Sequence, residues 1–256
     1  RRCTAGIAAS GRASHWDAAV AVIRDLRLHR LQPDAAVCNA AVSACGRGRQ
    51  WEAALDQALE MPLHGLSQEA ITFNAAASAC ERTSRWCSAA GLARALRQNG
   101  LEADTITFSA LASACEKAQE WHRVLAILHE VQKKCLPLDV VLCSAVASAC
   151  EKSPRWECAL AVLGEMRRSV VTPNVITFSA AISACEKGHH WAGAWGLLAE
   201  MRQLDLRPDA IACNAAIAAC EKGQRWERAL ELLRLMGTWA LAPDEVSLSA
   251  AISACE

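Results

Sequence analysis

The chain has 256 residues, 53% of them hydrophobic and 21% charged, a balance that excludes an intrinsically disordered protein. Lys plus Arg and Asp plus Glu each number 27, so no net charge points to a polyanionic partner and the arrangement of charges becomes the question. The longest charge-free runs, such as Ala35 to Gly46, reach about a dozen residues, well short of the ~20 needed to cross a bilayer.

In chain order, Trp16, Trp51, Trp86, Trp121, Trp156, Trp191 and Trp226 recur every 35 residues. Cys45, Cys80, Cys115, Cys150, Cys185, Cys220 and Cys255 keep the same period. Such self-similarity marks an array of one small unit, each covered by its neighbours. The expected units are 1–34 (truncated at its start), 35–69, 70–104, 105–139, 140–174, 175–209, 210–244 and 245–256 (truncated). The sequence opens at Arg1 part-way into one unit and stops at Glu256 part-way into another, so it reads as a fragment, with any targeting segment outside it.

Each unit predicts two helices. Asp104 opens a helix before Trp121, and Asn174 opens one before the helix that begins at Trp191. The unit 210–244 is clearest. Pro208-Asp209 stops what precedes, and Asp209 caps a first helix, A, from about Ala210 to Lys222. Gly223 and Gln224 end helix A. A second helix, B, runs from about Trp226 to Met236, with Trp226, Ala229, Leu230, Leu233 and Met236 on one face, and Gly237 to Pro243 closes the unit. Helix A is built of small residues that permit close approach, as in Ala215 to Cys220. The tryptophans are expected in the core between hairpins, where truncation costs ~3–5 kcal/mol. The fold expected is an all-α solenoid of helical hairpins with a concave face.

The fourteen cysteines do not read as a disulfide framework. Seven lie in the Ala-Cys column, while Cys3, Cys38, Cys143 and Cys213 share a column with Phe73, Phe108, Phe178 and Leu248, which asks only for apolar volume. No C-x-x-C or Cys/His cluster has zinc spacing, and His189-His190 stands where other units have a turn. No metal or cofactor is expected, and the free thiols point to a reducing compartment.

The 35-residue hairpin that begins Val-Ile-Thr-Phe-Ser (175–179) or Ala-Ile-Thr-Phe-Asn (70–74) and ends Leu-Arg-Pro-Asp (206–209) resembles the pentatricopeptide repeat, in its P-type array. The resemblance covers the whole chain. It departs from the family in having no Tyr in the aromatic column and an unusually uniform Ser-Ala-Cys-Glu-Lys ending to helix A. It implies a right-handed superhelix of antiparallel hairpins that binds single-stranded RNA, one base per repeat, read by two side chains. The paired residues would be Thr4/Asp34, Asn39/Glu69, Asn74/Asp104, Ser109/Asp139, Ser144/Asn174, Ser179/Asp209 and Asn214/Asp244, with Ser249 opening the next unit. By the family's pairing, Thr or Ser with Asp selects G, Ser with Asn selects A and Asn with Asp selects U. The predicted site is G-N-U-G-A-G-U, with Asn39/Glu69 unassigned. Family habit implies a mitochondrial or chloroplast protein of RNA processing, stabilisation or translation.

The residues themselves support part of this. Asn, Ser and Thr disfavour helix interiors, yet they fill one column amid Ala and Ile. For any one of them local back-bonding suffices; a whole column is a ladder of donors and acceptors. An N-cap explains the Asp column by itself, and orienting the polar column is compatible with it. Ala36, Ile71, Ile106, Val141, Ile176, Ile211 and Val246 either pack or flank bases, as the family's aliphatics do. Arg47, Arg82, Lys117, Lys152, Lys187 and Lys222 close helix A, where the dipole favours a cation. Were all six to meet phosphates, log K would fall with log[salt] at a slope near −4, at ~0.7 per contact. A protein-interaction scaffold of the same hairpins is the alternative function. No catalytic constellation interrupts the repeat, so an enzyme is not expected.

Overall fold

The computed structural model describes residues 16–29, 33–61, 70–83, 85–98, 103–153 and 155–255, and these form fourteen helices and no strand. They fall into two compact units divided between Ala118 and Gln119. The first unit contains α1 (Trp16–Leu28), α2 (Ala35–Arg47), α3 (Trp51–Glu60), α4 (Ala70–Arg82), α5 (Trp86–Gln98) and α6 (Thr105–Lys117). The second contains α7 (Trp121–Lys133), α8 (Val140–Lys152), α9 (Trp156–Arg168), α10 (Val175–Lys187), α11 (Trp191–Gln203), α12 (Ala210–Lys222), α13 (Trp226–Thr238) and α14 (Glu245–Ser253). Even-numbered helices are the small-residue helix A. Odd-numbered helices open on tryptophan and are helix B, which at α13 runs two residues past the expected Met236.

Helix A packs on helix A. In the first unit α2 lies against α4 and α4 against α6; in the second, α8, α10, α12 and α14 form a row. Each intervening helix B leans on its own helix A and on the next, as α9 does on α8 and α10. The contact surface explains the composition. Ala41, Ala44, Ala76, Ala79, Ala147, Ala181, Ala184, Ala216 and Ala219 are buried, and so are Cys45, Cys80, Cys115, Cys150, Cys185 and Cys220. Side chains this small let helix axes approach closely. Larger apolar groups from both helices fill the spaces between, notably Phe73, Met166, Phe178 and Met201. The described cysteines form no disulfide, and Cys87, Cys135 and Cys255 are exposed and out of the core. Burial pushes the thiols of Cys45, Cys80, Cys143, Cys185 and Cys220 up to about 11, and those of Cys150 and Cys213 up to about 12. They act as apolar filler, protonated and inert at neutral pH.

The tryptophans depart from expectation, because they are not core. Trp51, Trp121, Trp156 and Trp191 are half-buried, and Trp226 is exposed. Each of the first four lies beneath the turn that precedes the next helix B. The guanidinium carbons of Arg85, Arg155 and Arg225 stand 5.2, 5.3 and 4.9 Å from the ring centroids of Trp51, Trp121 and Trp191. His190 stacks on Trp156 with centroids 4.0 Å apart. The turn itself must be slim there: a Cβ on Gly188 or Gly223 would fall 2.1 or 2.5 Å from Cδ1 of Trp156 or Trp191. The column therefore clasps one hairpin to the next, and ~3–5 kcal/mol, the cost of truncating a fully buried aromatic, is an upper bound for it.

Both ends of the hairpin are closed by the same device. The N–H groups of Gln50, Arg85, Arg155, His190 and Arg225 donate to the carbonyls of Cys45, Cys80, Cys150, Cys185 and Cys220 at 2.8–3.2 Å. After helix B, Leu136, Val171, Leu206 and Leu241 donate likewise to Val131, Met166, Met201 and Met236 at 2.9–3.2 Å. In most of these six-to-one closures a left-handed residue stands just before the donor, as Arg49, His189 and Gln224 do after helix A. Cys135, Val170, Asp205 and Ala240 supply it after helix B, with φ of 51°, 56°, 54° and 57°. For Val170, β-branched and 89% exposed, that conformation costs stability with no packing in return. Val170→Gly is accordingly expected to raise the unfolding free energy by about 1 kcal/mol, read as a higher midpoint in urea; an unchanged or lower midpoint contradicts the strain.

Candidate functional site

Each helix A presents the same short surface. Asn39, Asn74, Ser109, Ser144, Ser179, Asn214 and Ser249 are the fifth residues of α2, α4, α6, α8, α10, α12 and α14; Thr4 lies outside the described residues. Three residues earlier on the same face stand Ile71, Ile106, Val141, Ile176, Ile211 and Val246. Packing does not account for these aliphatics, which are 50–66% exposed. Ala36, their counterpart on α2, is exposed as well. Every helix A thus shows solvent an aliphatic surface beside a polar group.

In three units the last residue does two jobs. Asp34, Asp104, Asn174, Asp209 and Asp244 cap the following helix, each accepting from the backbone N–H three residues on at 2.7–2.8 Å. Asp139 has the extended backbone of a cap but makes no side-chain bond of that kind, and Glu69 lies outside the described residues. Three caps also reach back 30 residues to the polar column. Asn74 Nδ2 donates to Asp104 Oδ2 at 2.9 Å, Asn214 Nδ2 to Asp244 Oδ2 at 2.8 Å, and Ser179 Oγ to Asp209 Oδ1 at 3.1 Å. In the two Asn pairs the carboxylate splits its work, with Oδ1 on the cap and Oδ2 on the amide.

Ser144 and Asn174 come together differently. Thr177 stands between them, 2.8 Å from Ser144 Oγ and donating to Asn174 Oδ1 at 2.8 Å. Ser109 and Ser249 bond back to the carbonyls of Thr105 and Val246, at 2.8 and 3.1 Å. A third participant escaped the sequence: Thr72 and Thr107 donate their hydroxyls to Asn39 Oδ1 and Asn74 Oδ1. The repeated Ile-Thr-Phe at 71–73, 106–108 and 176–178 was the available signal for it.

The cation column is aligned but paired. Lys117, Lys187 and Lys222 contact the carboxylates of Glu81, Glu151 and Glu186, one unit back, at 3.2, 3.2 and 2.5 Å. Arg47 and Lys152 are engaged too. For Arg82 the corresponding position one unit back is Gly46, which offers no carboxylate. Three of the six candidate phosphate contacts thus hold a carboxylate of the preceding unit. His189 and His190 form a turn as expected: His189 is left-handed, and His190 Nδ1 accepts from the Gly193 N–H at 3.0 Å. Among the described residues no group of His, Cys, Asp or Glu is arranged to hold a metal.

Burial pushes the Asp104 carboxyl up, but bonds from the Thr107 N–H, the Asn74 amide and the Thr107 hydroxyl together hold it below its ordinary 3.8. At Asp244 the Ser247 N–H and the Asn214 amide act in the same direction. A depressed folded value means that the stabilisation is complete above the ordinary carboxylate range and is lost as pH falls through the lowered value. Asp104→Ala is therefore expected to cost about 1 kcal/mol at neutral pH. In urea melts across pH, the gap between wild type and variant should narrow below about pH 4, and a gap independent of pH would exclude the ionised cap.

Comparison with known proteins follows the same geometry. A pentatricopeptide repeat domain model matches residues 126–187, and a PPR repeat model matches residues 211–239. Among curated proteins, none matches this sequence. The solved maize pentatricopeptide repeat protein PPR10 is 20% identical over 98% of this chain, with a TM-score of 0.56, and this chain spans 41% of it. The same maize protein in complex with an 18-nt psaJ RNA element is 18% identical over 93% of this chain and 40% of that one, with a TM-score of 0.51. The pentatricopeptide repeat domain of Arabidopsis thaliana protein-only RNase P 1, in complex with tRNA, is 13% identical over 70% of this chain and 94% of its own, with a TM-score of 0.63. These likenesses show the fold of a helical-repeat array. Over the two stretches that the family models match, the repeats of this chain are pentatricopeptide repeats.

Proposed function

We propose that this chain binds single-stranded RNA in a sequence-specific manner, one base per repeat, through the ladder on helix A. The observation that carries the reading is the pairing, unit after unit, of an exposed aliphatic with an anchored polar group three residues on. A nucleobase has an apolar face and a hydrogen-bonding edge, and this surface offers the complement of both. Ile71, Ile106, Val141, Ile176 and Ile211 would lie against base faces. Thr4, Asn39, Asn74, Ser109, Ser144, Ser179, Asn214 and Ser249 would meet base edges, with Asp34, Glu69, Asp104, Asp139, Asn174, Asp209 and Asp244 behind them.

The chemistry is specific. Ser179 donates to the Asp209 carboxylate, which leaves its lone pairs to accept from the N–H groups of guanine. Asn74, anchored to Asp104, keeps one N–H and one lone pair on its free edge, which suits the carbonyl and N3–H of uracil. Two similar structures, the maize protein with its RNA element and the Arabidopsis domain with tRNA, support an RNA partner. We propose the role to be RNA processing, stabilisation or translation in a mitochondrion or chloroplast, with binding rather than catalysis as the contribution of these repeats.

Each base gains only about 0.5–1.5 kcal/mol per hydrogen bond, so several units must act together. In filter binding, G-N-U-G-A-G-U RNA should be retained over a scrambled oligomer, and Asn214→Ser should move the preference at the last base from U toward G. Equal weak binding to both RNAs would leave the paired, neutral surface to a protein partner instead. The affinity should also fall with salt less steeply than the slope of about −4 for six phosphate contacts, because Lys117, Lys187 and Lys222 already hold carboxylates.

A further inference from the structure

We propose that Thr72 and Thr107, the third residues of α4 and α6, are positioning residues that lock the amides of Asn39 and Asn74 in the preceding unit and thereby separate uracil from cytosine. This rests on the base-reading role given to the Asn column above. The amide of Asn74 is held at both ends: its nitrogen donates to Asp104 Oδ2 at 2.9 Å and its oxygen accepts from the Thr107 hydroxyl. The same hydroxyl also lies 2.8 Å from Asp104 Oδ1, so its single proton is bifurcated between the amide and carboxylate oxygens, which ties cap, amide and threonine into one cluster. Chemistry dictates the orientation. A carboxylate held in its ionised form only accepts, so the amide nitrogen must face it and the amide oxygen must face the hydroxyl. Thr72 makes the equivalent bond to Asn39 Oδ1.

The consequence is an ordered free edge. With both inner positions taken, the amide offers one N–H and one lone pair in a fixed sequence. Uracil presents a carbonyl beside N3–H; cytosine presents an amino group beside an acceptor N3, the reverse order. An amide that turns over serves either pyrimidine, and a locked one serves only one. A unit's base preference thus depends on three side chains, one of them belonging to the next unit.

Asn214 supplies the contrast. Its nitrogen donates to Asp244 Oδ2, but Ser247, at the corresponding third position, turns its hydroxyl to the carbonyl of Asp244 at 2.8 Å. Asn214 Oδ1 is left buried without a partner. Serine lacks the methyl that restricts χ1 in threonine, so nothing holds its hydroxyl toward the amide. The lock at Asn214 is half made.

Two measurements test the proposal on the 256-residue chain. Competition between RNAs with U or C at the third base should show Thr107→Val lowering the U:C ratio about threefold to tenfold, the worth of one hydrogen bond. Thr107→Ser should keep part of the ratio, and Ser247→Thr should raise U:C at the seventh base. Without RNA, Thr107→Val should shift the Asn74 side-chain amide resonances and speed their hydrogen exchange, while Thr107→Ser stays near wild type. A U:C ratio untouched by Thr107→Val, or an unmoved Asn74 amide, overturns the lock. A wild-type chain blind to the third base sinks the base-reading role instead, and the amide spectrum alone then decides the lock.

Discussion

Close approach of successive A helices is the constraint on which the other features depend. It is favoured by the alanine and cysteine columns buried along α8, α10 and α12, which pack in a row. Only at that separation can a side chain of one unit bond a side chain of the next. Thr107 reaches Asn74, Thr177 reaches Ser144, and Lys222 reaches Glu186 across the same kind of gap. A bulkier residue in the Ala or Cys columns would damage more than packing, because it would part the polar ladder as well.

The second economy lies in the carboxylate that ends most units. A capping Asp needs one oxygen for the helix N-terminus, which leaves the other available. Asp104 and Asp244 turn that spare oxygen to an Asn 30 residues earlier. Helix stability and the orientation of the polar column are thereby coupled, so neither residue is free to vary alone. The Glu–Lys pairs work in a comparable way at the other end of helix A. Each cation suits the helix C-terminus through the dipole, and its carboxylate partner in the preceding unit neutralises it. Being exposed, these pairs contribute little to stability, but they remove a basic stripe that the spacing alone suggested.

Much of the fold was legible in the residues. The 35-residue period, the Pro-Asp starts and the Gly or polar turns located the helices, so that Ala210–Lys222 appears as expected. Periodicity reports which residues recur, not what surrounds them. It therefore put Trp121, Trp156 and Trp191 in a core where they are half-buried lids under Arg155, His190 and Arg225. It left the Ile106 and Ile176 column between packing and display, and the structure exposes it. It paired Ser144 with Asn174 by analogy, whereas Thr177 intervenes.

The sequence by itself determined the unit, its two helices, the caps and the columns, because these are local properties: capping chemistry, helix propensity and the run of apolar residues act within a few residues of one another. Tertiary structure decided which columns meet. Thr107 with Asn74, Lys187 with Glu151 and Arg225 with Trp191 are separated by 33 to 36 residues and are joined only when one hairpin settles against the next. Spacing in sequence cannot state the distance between two helix axes; the small side chains between them do.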